Sequence, residues 1–358
     1  MGLDSYVTLG NSGLRVSPMA LGTMVLGDPS WGADQAESEG ILSRYIDAGG
    51  NFVDTANGYA DGRSEAILGE YLAERKGLRD RIVIATKFGG NMFPGDPNGG
   101  GAGRKALLRQ AEESLRRLQT DYIDLYWLHN ADRHTPIAET MATLDDLVRS
   151  GKVRYVGLSD TPAWKVARAA TIAEFRGWAP VSAIQIEYSL LERTVEGELL
   201  PMAAELGLGV TPFSPLASGV LSGKYTREVR SPAGSGRAPL VAKHLGETTF
   251  TLLDELGRIA GDLETTVAAV ALAWVQSRSA VTSTIVGARS VKQLDANLAA
   301  LQISPSADQL ARLDALSKPT LNFPAAFLEE VAVPWQQGGT TINGVTSAAS
   351  VAVLDEVR

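Results

Sequence analysis

The sequence predicts an α/β protein of the (β/α)8 TIM-barrel type on three observations. Short apolar runs alternate with amphipathic stretches from Met19 to Leu301. Eight such runs recur at roughly thirty-residue spacing, the number that closes a barrel. No composition break or Pro/Gly linker divides the chain. A doubly wound open sheet with a second domain is the rival. That fold would place a G-x-G-x-x-G turn after the first strand, and none is there. Residues 1–358 therefore read as one barrel domain, with a core over about 6–317 and a C-terminal extension over 318–358.

Each element follows from local pattern. Val7-Thr8-Leu9 and Leu14-Arg15-Val16 flank a polar, Gly-containing turn and predict a β-hairpin. The barrel strands are expected at Met19–Gly22, Phe52–Asp54, Arg81–Thr86, Tyr122–Leu128, Val153–Leu158, Ala183–Ile186, Gly209–Phe213 and Thr284–Val286. Helical spacing fills Ala36–Asp47, which stops at Gly49-Gly50. Ser64 is expected to cap a helix running to about Arg75. Further helices are expected at Lys105–Leu118, Ile137–Arg149, Trp164–Phe175, Glu198–Leu206 and Val291–Leu301. Ser214–Thr248 is too long for a plain connection and reads as a functional loop over the barrel mouth. The tail beyond Pro319 has little periodicity before Val351–Val357 and is expected on the surface near that mouth.

Composition excludes several classes. A hydrophobic fraction of 44% and a charged fraction of 21% rule out disordered and collagen-like chains. The net charge of −8 is spread along the chain, and no dense Lys/Arg cluster suggests a nucleic-acid groove. With no Cys, disulfides, thiolate zinc sites and cysteine nucleophiles are out. Only 3 His and no H-x-H pair disfavour a metal-dependent hydrolase, so no metal is expected. The N-terminus lacks a secretory pattern, Tyr6 breaks the myristoylation motif after Gly2, and no apolar run approaches roughly 18 residues. The expectation is a cytoplasmic protein that binds neither membrane nor nucleic acid.

In a barrel of this kind, chemistry sits where strands end. Asp54 ends the second strand, Tyr59 lies in the loop after it, Lys87 falls just past the third, and His129 ends the fourth. Singly, each has a bland explanation: a turn carboxylate, an amphipathic lid, a solvated charge, a packed imidazole. Four on adjacent strands are harder to dismiss, and the set is chemically coherent. Carbonyl reduction needs a hydride donor and an acid to protonate the forming alkoxide. A phenol of ordinary pKa about 10 exchanges protons poorly near neutrality. An ammonium about 4 Å away favours the phenolate by up to roughly 4 kcal/mol at an effective dielectric near 20. Asp54 would hold Lys87 charged and aimed, and a neutral His129 could orient the carbonyl oxygen.

These residues also carry a resemblance. GNFVDTANGYADGRSEAILGEYL, IATKFGG, DYIDLYWLHN and SGKVRYVGLSD resemble the motif series of the aldo-keto reductases. So do IQIEYSLLER, TPFSPLASGVLSGKY and IVGARSVKQLDANLAAL, in the same order, over about Tyr6 to Ser317. The resemblance implies NADPH-dependent reduction of an aldehyde or ketone, with a small-molecule carbonyl substrate as partner. It implies a tetrad in which Tyr59 is the general acid, Lys87 lowers its pKa, Asp54 positions Lys87 and His129 orients substrate.

It implies further that NADPH/NADP+ lies across the barrel mouth without a Rossmann fold. Ser159, Asp160 and Gln185 would bind the carboxamide, and Phe213 would stack on the nicotinamide. Ser214, Pro215, Leu216, Ala217 and Ser218, with Lys224, would belt the pyrophosphate. Gly287, Arg289, Gln293 and Asn297 would hold the adenosine end, and Thr23 and Met24 match a further contact position. Arg289 and Ser290 open a helix, a setting that suits a phosphate and favours NADPH over NADH. Two departures stand out: Asp160 replaces a frequent Asn, and Ala296 replaces a carboxylate present in some relatives. An ionised Asp only accepts hydrogen bonds, so one carboxamide contact would change character.

Gly89–Gly103 lacks phosphate-loop spacing and reads as a mobile loop beside the pocket. Trp31, Trp127 and Phe93 are candidates to shape an apolar substrate pocket, although Trp127 equally suits the core. Two other functions stay open: reduction of a nucleotide-linked keto-sugar or enone, and an NADPH-binding regulatory subunit with slow turnover.

Overall fold

A computed structural model describes residues 1–28, 30–230, 241–242 and 244–348. The chain opens with a hairpin in which β1 (Val7–Thr8) pairs antiparallel with β2 (Arg15–Val16). Eight parallel strands follow: β3 (Met19–Gly22), β4 (Phe52–Asp54), β5 (Val83–Phe88), β6 (Ile123–Leu128), β7 (Val153–Ser159), β8 (Val181–Glu187), β9 (Gly209–Phe213) and β10 (Thr284–Gly287). Their spatial order is β10-β3-β4-β5-β6-β7-β8-β9. The seam between β9 and β10 is drawn together by Thr282 N donating to Val210 C=O at 2.8 Å. This is the (β/α)8 barrel that the sequence predicts.

The strands read as nearly continuous apolar runs because both faces are buried. Inside the barrel, Ala20, Phe52, Val83, Ala85, Leu125, Trp127, Ala183 and Ile285 form one core, closed beneath by Leu9 and Val16 of the hairpin. Trp127 is fully buried there and lies across Gly157 of the next strand. A Cβ at Gly157 would come within 2.2 Å of the indole, so a large ring on β6 requires no side chain on β7. Trp127 is therefore core, not pocket wall.

The second core lies between the strands and the surrounding helices. These are α1 (Gln35–Asp47), α2 (Arg63–Ala73), α3 (Arg104–Leu118), α4 (Ile137–Arg149), α5 (Ala163–Arg176), α6 (Leu199–Glu205), α7 (Glu247–Asp262), α8 (Val267–Gln276), α9 (Val291–Leu298) and α10 (Ala307–Leu316). α3 shows the logic. Leu107, Ala111, Ser114, Leu115 and Leu118 make one buried stripe at helical spacing, with Arg116 and Arg117 in the last turn. Arg117 reaches back to the buried Glu65 of α2 at 2.7 Å, and Glu65 also accepts from Thr86 of β5. One carboxylate thus ties two helices to a strand.

Several expectations need correction. Ser64 does not cap α2. Gly62 occupies that position, and the Ser64 hydroxyl is buried inside the helix, donating to Thr23 C=O at 2.9 Å. The third barrel strand runs two residues further than expected, so Lys87 lies within β5 rather than past it. Helices α7, α8 and α10 are additional to those expected. Within Ser214–Thr248, Ala217–Ser222 forms a 3-10 turn and α7 begins at Glu247, while 231–240 and 243 lie outside the described residues. In the tail, Leu321 and Ala325 pack beside Gly197, in the loop after β8, which sets its beginning next to the barrel mouth. Val351–Val357 lies outside the described residues. No described helix is long and apolar enough to cross a membrane.

Candidate active site

The strand ends assemble one polar cluster at the mouth. Asp54 is the last residue of β4, and its backbone carbonyl accepts from Thr23 N at 2.9 Å and Thr23 Oγ1 at 3.2 Å. Its carboxylate is divided between two partners: Oδ1 accepts from Lys87 Nζ, and Oδ2 accepts from Gln185 Nε2 at 2.9 Å. Lys87 is 1% exposed. It also donates to Thr55 C=O at 2.9 Å and to the Tyr59 hydroxyl at 3.1 Å. All three ammonium hydrogens therefore have acceptors, which is what allows a buried lysine to stay charged.

Tyr59 opens a 3-10 turn, Tyr59–Gly62, in which Ala60 and Asp61 take positive φ of 47° and 53°. His129 follows β6 directly, and its N–H donates to Phe88 C=O at 2.9 Å. Its ring meets Tyr59 edge to face, centroids 5.8 Å apart at 81°. The four residues expected as a tetrad are thus brought together. Backbone strain concentrates at the same end of the barrel. Six of the nine described non-glycine residues with positive φ (Ala60, Asp61, Asp160, Ser214, Ala217 and Ser218) sit in mouth loops. Such positions cost of order 1–3 kcal/mol each and persist where surrounding structure dictates them.

The electrostatics follow from burial and charge. Burial alone pulls Lys87 down, but Asp54 and Tyr59 outweigh it and hold the ammonium above its ordinary value. Burial pushes the Tyr59 phenol up, and the Lys87 ammonium only partly offsets this, so the group keeps its proton through neutral pH. The ammonium acts in the expected direction, but desolvation exceeds it. Burial and then Lys87 lower His129 from 6.5 to about 4, which leaves a neutral imidazole near pH 7. Desolvation and the Glu187 carboxylate raise Asp160 to about 6, against the pull of Lys87. Near that pH Asp160 is not confined to accepting hydrogen bonds.

The His129 shift has a consequence for stability. As pH falls from 6.5 towards 4, the unfolded chain gains a proton there that the folded chain refuses. Stability is lost over that window at up to about 1.4 kcal/mol per pH unit. His129→Asn should flatten this acid-side slope in denaturant melts at about pH 7 and about pH 5. An unchanged slope would show that the imidazole takes up its proton equally in both states.

Above the cluster opens a cavity of about 460 Å³. Every residue assigned above to a nicotinamide cofactor lines it except Thr23 and Ala217, which are buried behind the surface. Thr23 instead braces the Asp54 backbone. Trp31 and Met24 line the cavity with Tyr59 and His129. Phe93 does not, since it stacks under Arg109 at 3.4 Å. Lining residues that sequence reasoning missed include Ser222, Tyr225 and Leu272. The first two belong to the VLSGKY stretch, while Leu272 gave no signal on an unassigned helix.

The donor set suits a nicotinamide dinucleotide. Gln185 spends one of its two N–H donors on Asp54, which leaves its amide oxygen as an acceptor beside Ser159 and Asp160, which also line the cavity. Phe213 offers a half-buried ring. Lys224 and the exposed Arg289 supply cations further along, and Arg289 precedes Ser290, whose hydroxyl caps α9. Gln293 Oε1 accepts from Arg289 N at 2.9 Å and Asn297 donates to Gly287 C=O at 3.1 Å, so both polar side chains shape the turn as well as the wall.

The glycine-rich stretch 89–103 is an internally hydrogen-bonded loop beside the mouth. Asn91 accepts from Phe93 N and donates to Asp96 C=O, and Gly101 N donates to Gly89 C=O at 2.9 Å. A Cβ on Gly100 would lie 2.6 Å from Asn91 Cα, so close packing requires glycine there, while Gly95 takes a positive φ of 87° with open space around it.

Comparison with known proteins gives the family. Residues 18–318 match the family described as the Aldo/keto reductase family. The chain is 38% identical over 318 residues to the uncharacterized oxidoreductase YrpG of Bacillus subtilis, covering 86% of this chain and 94% of that protein. It is 34% identical over 330 residues to a putative aryl-alcohol dehydrogenase of Saccharomyces cerevisiae, covering 88% and 87%. It is 36% identical over 331 residues to a norsolorinic acid reductase of Aspergillus flavus, covering 89% and 82%.

Proposed function

The chain belongs to the aldo/keto reductase family, and we propose that it is an NADPH-dependent reductase of aldehydes and ketones in which Tyr59 supplies the proton. That it is an oxidoreductase enzyme follows from the family, which generally uses NAD(P)H and reduces carbonyls. The finer reading rests on one observation: the hydrogen-bonded chain from Asp54 through Lys87 to the Tyr59 hydroxyl, at the floor of a cavity that His129 also lines.

When bound, the cofactor supplies a hydride to the carbonyl carbon. The chain's own residues do the rest. Neutral His129 holds the carbonyl oxygen near the Tyr59 hydroxyl. As negative charge develops on that oxygen, Tyr59 gives it a proton, and the product is the alcohol. Lys87 stabilises the phenolate left behind, and Asp54 keeps Lys87 charged and aimed. A proton-holding phenol suits the reductive direction, because the acid must be loaded before hydride arrives. Ser159, Asp160 and Gln185 would hold the carboxamide, Phe213 the ring, and Lys224 with Ser214 and Ser218 the pyrophosphate.

Trp31 and Met24 beside Tyr59, together with the relative named for aryl alcohols, favour an aromatic carbonyl over a keto-sugar. The test is consumption of NADPH with benzaldehyde against a keto-sugar nucleotide. Turnover of the sugar alone would reverse that preference, and turnover of neither would count against both substrate classes. Arg289→Ala should weaken NADPH by about tenfold or more, on the scale of 1.5–3 kcal/mol for a hydrogen bond to a charged group, with NADH affected less. Equal weakening of both would place the 2′-phosphate elsewhere.

A further inference from the structure

Gln110 is a buried glutamine on the barrel side of α3, 2% exposed, and no part of the chemistry above uses it. Its amide oxygen accepts from Gly89 N at 2.8 Å and from Asn57 Nδ2 at 2.9 Å. Its amide nitrogen donates to Gly101 C=O at 3.1 Å. Those three partners belong to three different segments of the mouth. Gly89 lies two residues after Lys87 at the end of β5. Asn57 lies two residues before Tyr59, and its backbone N–H donates to Lys87 C=O at 3.1 Å. Gly101 closes the neck of the glycine-rich loop onto Gly89.

The loop so closed lies beside the turn and the strand end that carry the reacting groups. Met92 Sδ lies 3.9 Å from the point a Cβ would occupy on Gly58, beside Tyr59. A Cβ on Gly89 would stand 3.8 Å from His129 Cβ. One amide therefore fixes the spacing between the turn that carries the phenol and the strand end beside the imidazole. A glutamine suits the task because it both donates and accepts from one planar group. Ala or Leu would strand the Gly89 N–H in the interior and leave the Asn57 amide nitrogen only its longer bond to Gly90 C=O at 3.4 Å.

We infer that Gln110 is a positioning residue that sets the distance between Tyr59 and His129 around the carbonyl. The inference rests on the proposed reductase reading and deepens it. It acts through Asn57 and Gly89 and touches neither substrate nor cofactor.

The experiment compares Gln110→Leu, Gln110→Glu and Asn57→Ala with the unaltered chain and with Tyr59→Phe. The probes are benzaldehyde turnover, NADPH affinity by quenching of tryptophan fluorescence, and hydrogen exchange of the 57–59 and 89–101 segments. Gln110→Leu and Asn57→Ala should each lower kcat about tenfold or more, a part of the ~10²-fold that a 1 Å misplacement can cost. NADPH affinity should stay within about twofold, since the amide lies off the cofactor wall. Gln110→Glu keeps the acceptor towards Gly89 and Asn57 and should retain most of kcat while raising KM through the loosened Gly101 end. Because Gln110→Leu and Asn57→Ala break a shared hydrogen bond, their double variant should be little worse than either alone.

Unchanged kcat in Asn57→Ala and Gln110→Leu would overturn the inference. So would parallel losses of kcat and NADPH affinity, which mark a merely structural role. If Gln110→Leu fails to fold, Asn57→Ala and Gln110→Glu decide. If the unaltered chain turns over no carbonyl, the reductase reading fails on its own, and unaltered exchange in both segments of Gln110→Leu would then dispose of the clamp separately.

Discussion

Tyr59→Phe is expected to lower carbonyl reduction by about 10²–10⁴-fold, the range that positioned acid catalysis supplies. The substitution removes one oxygen and keeps the ring that meets His129 edge to face. NADPH affinity should change little, because the ring still forms its part of the cavity wall. The contrast between the two readouts carries the argument. An interaction made only as charge develops on the substrate oxygen appears in kcat and not in cofactor binding. Equal losses in both would assign the tyrosine to packing, and retained turnover would hand the proton to another group.

Lys87→Met is expected to be the more damaging change, because it acts on stability and rate together. The side chain is of similar length, but Asp54 is left as a buried carboxylate with Gln185 as its remaining side-chain partner. Breaking a buried ion pair by removing one member costs about 3–5 kcal/mol. Denaturant melts of the variant should reveal a loss of that order at neutral pH. The pH dependence has a definite sign. Lys87 is held above its ordinary value of 10.5, so its contribution is present throughout neutral pH and disappears only as pH climbs beyond that value. The variant should lack this alkaline loss. Turnover should fall at least as far as in Tyr59→Phe, since burial and the Asp54 charge would both push the phenol up with no ammonium to oppose them. Stability within about 1 kcal/mol of the unaltered chain would contradict the importance assigned to the buried pair.

Much of this site is legible in the sequence, for a physical reason. Parallel barrel strands are buried on both faces, so each is a dense apolar run, and a polar residue at its end stands out. Asp54 and His129 are visible in that way. Lys87 is visible too, although the reading stops β5 one residue short of it. The apolar count cannot tell Thr86-Lys87-Phe88 inside a strand from a loop, because a lysine there looks solvated until Asp54, Thr55 and Tyr59 are seen to enclose it. The direction of the Tyr59 shift was not legible either. Charge proximity can be guessed from spacing, whereas the desolvation that exceeds it depends on how the mouth loops pack.

Helix α8 illustrates a different blindness. In α8, Ala269 to Val275 are all buried, so the segment lacks a polar face and the amphipathic pattern by which helices are found. Ser64 misleads in the opposite way. A serine just before an apolar stretch is the usual sign of a cap, but here it sits one residue inside the helix and turns its hydroxyl to Thr23. Gln110 is invisible for a similar reason. A glutamine on a helix rich in Arg and Glu reads as solvated surface, and only its three partners across the mouth mark it as interior.

The most direct measurement follows the origin of the hydrogen added to the carbonyl carbon, with and without the Tyr59 hydroxyl. Benzaldehyde would be reduced with NADPH deuterated at its transferable position, in ordinary water and again with unlabelled NADPH in heavy water. The account predicts that label from the cofactor appears on the alcohol carbon and that none arrives there from solvent. It also predicts that Tyr59→Phe suppresses both experiments alike. Solvent deuterium on that carbon, or full product formation without the residue-59 hydroxyl, would contradict it.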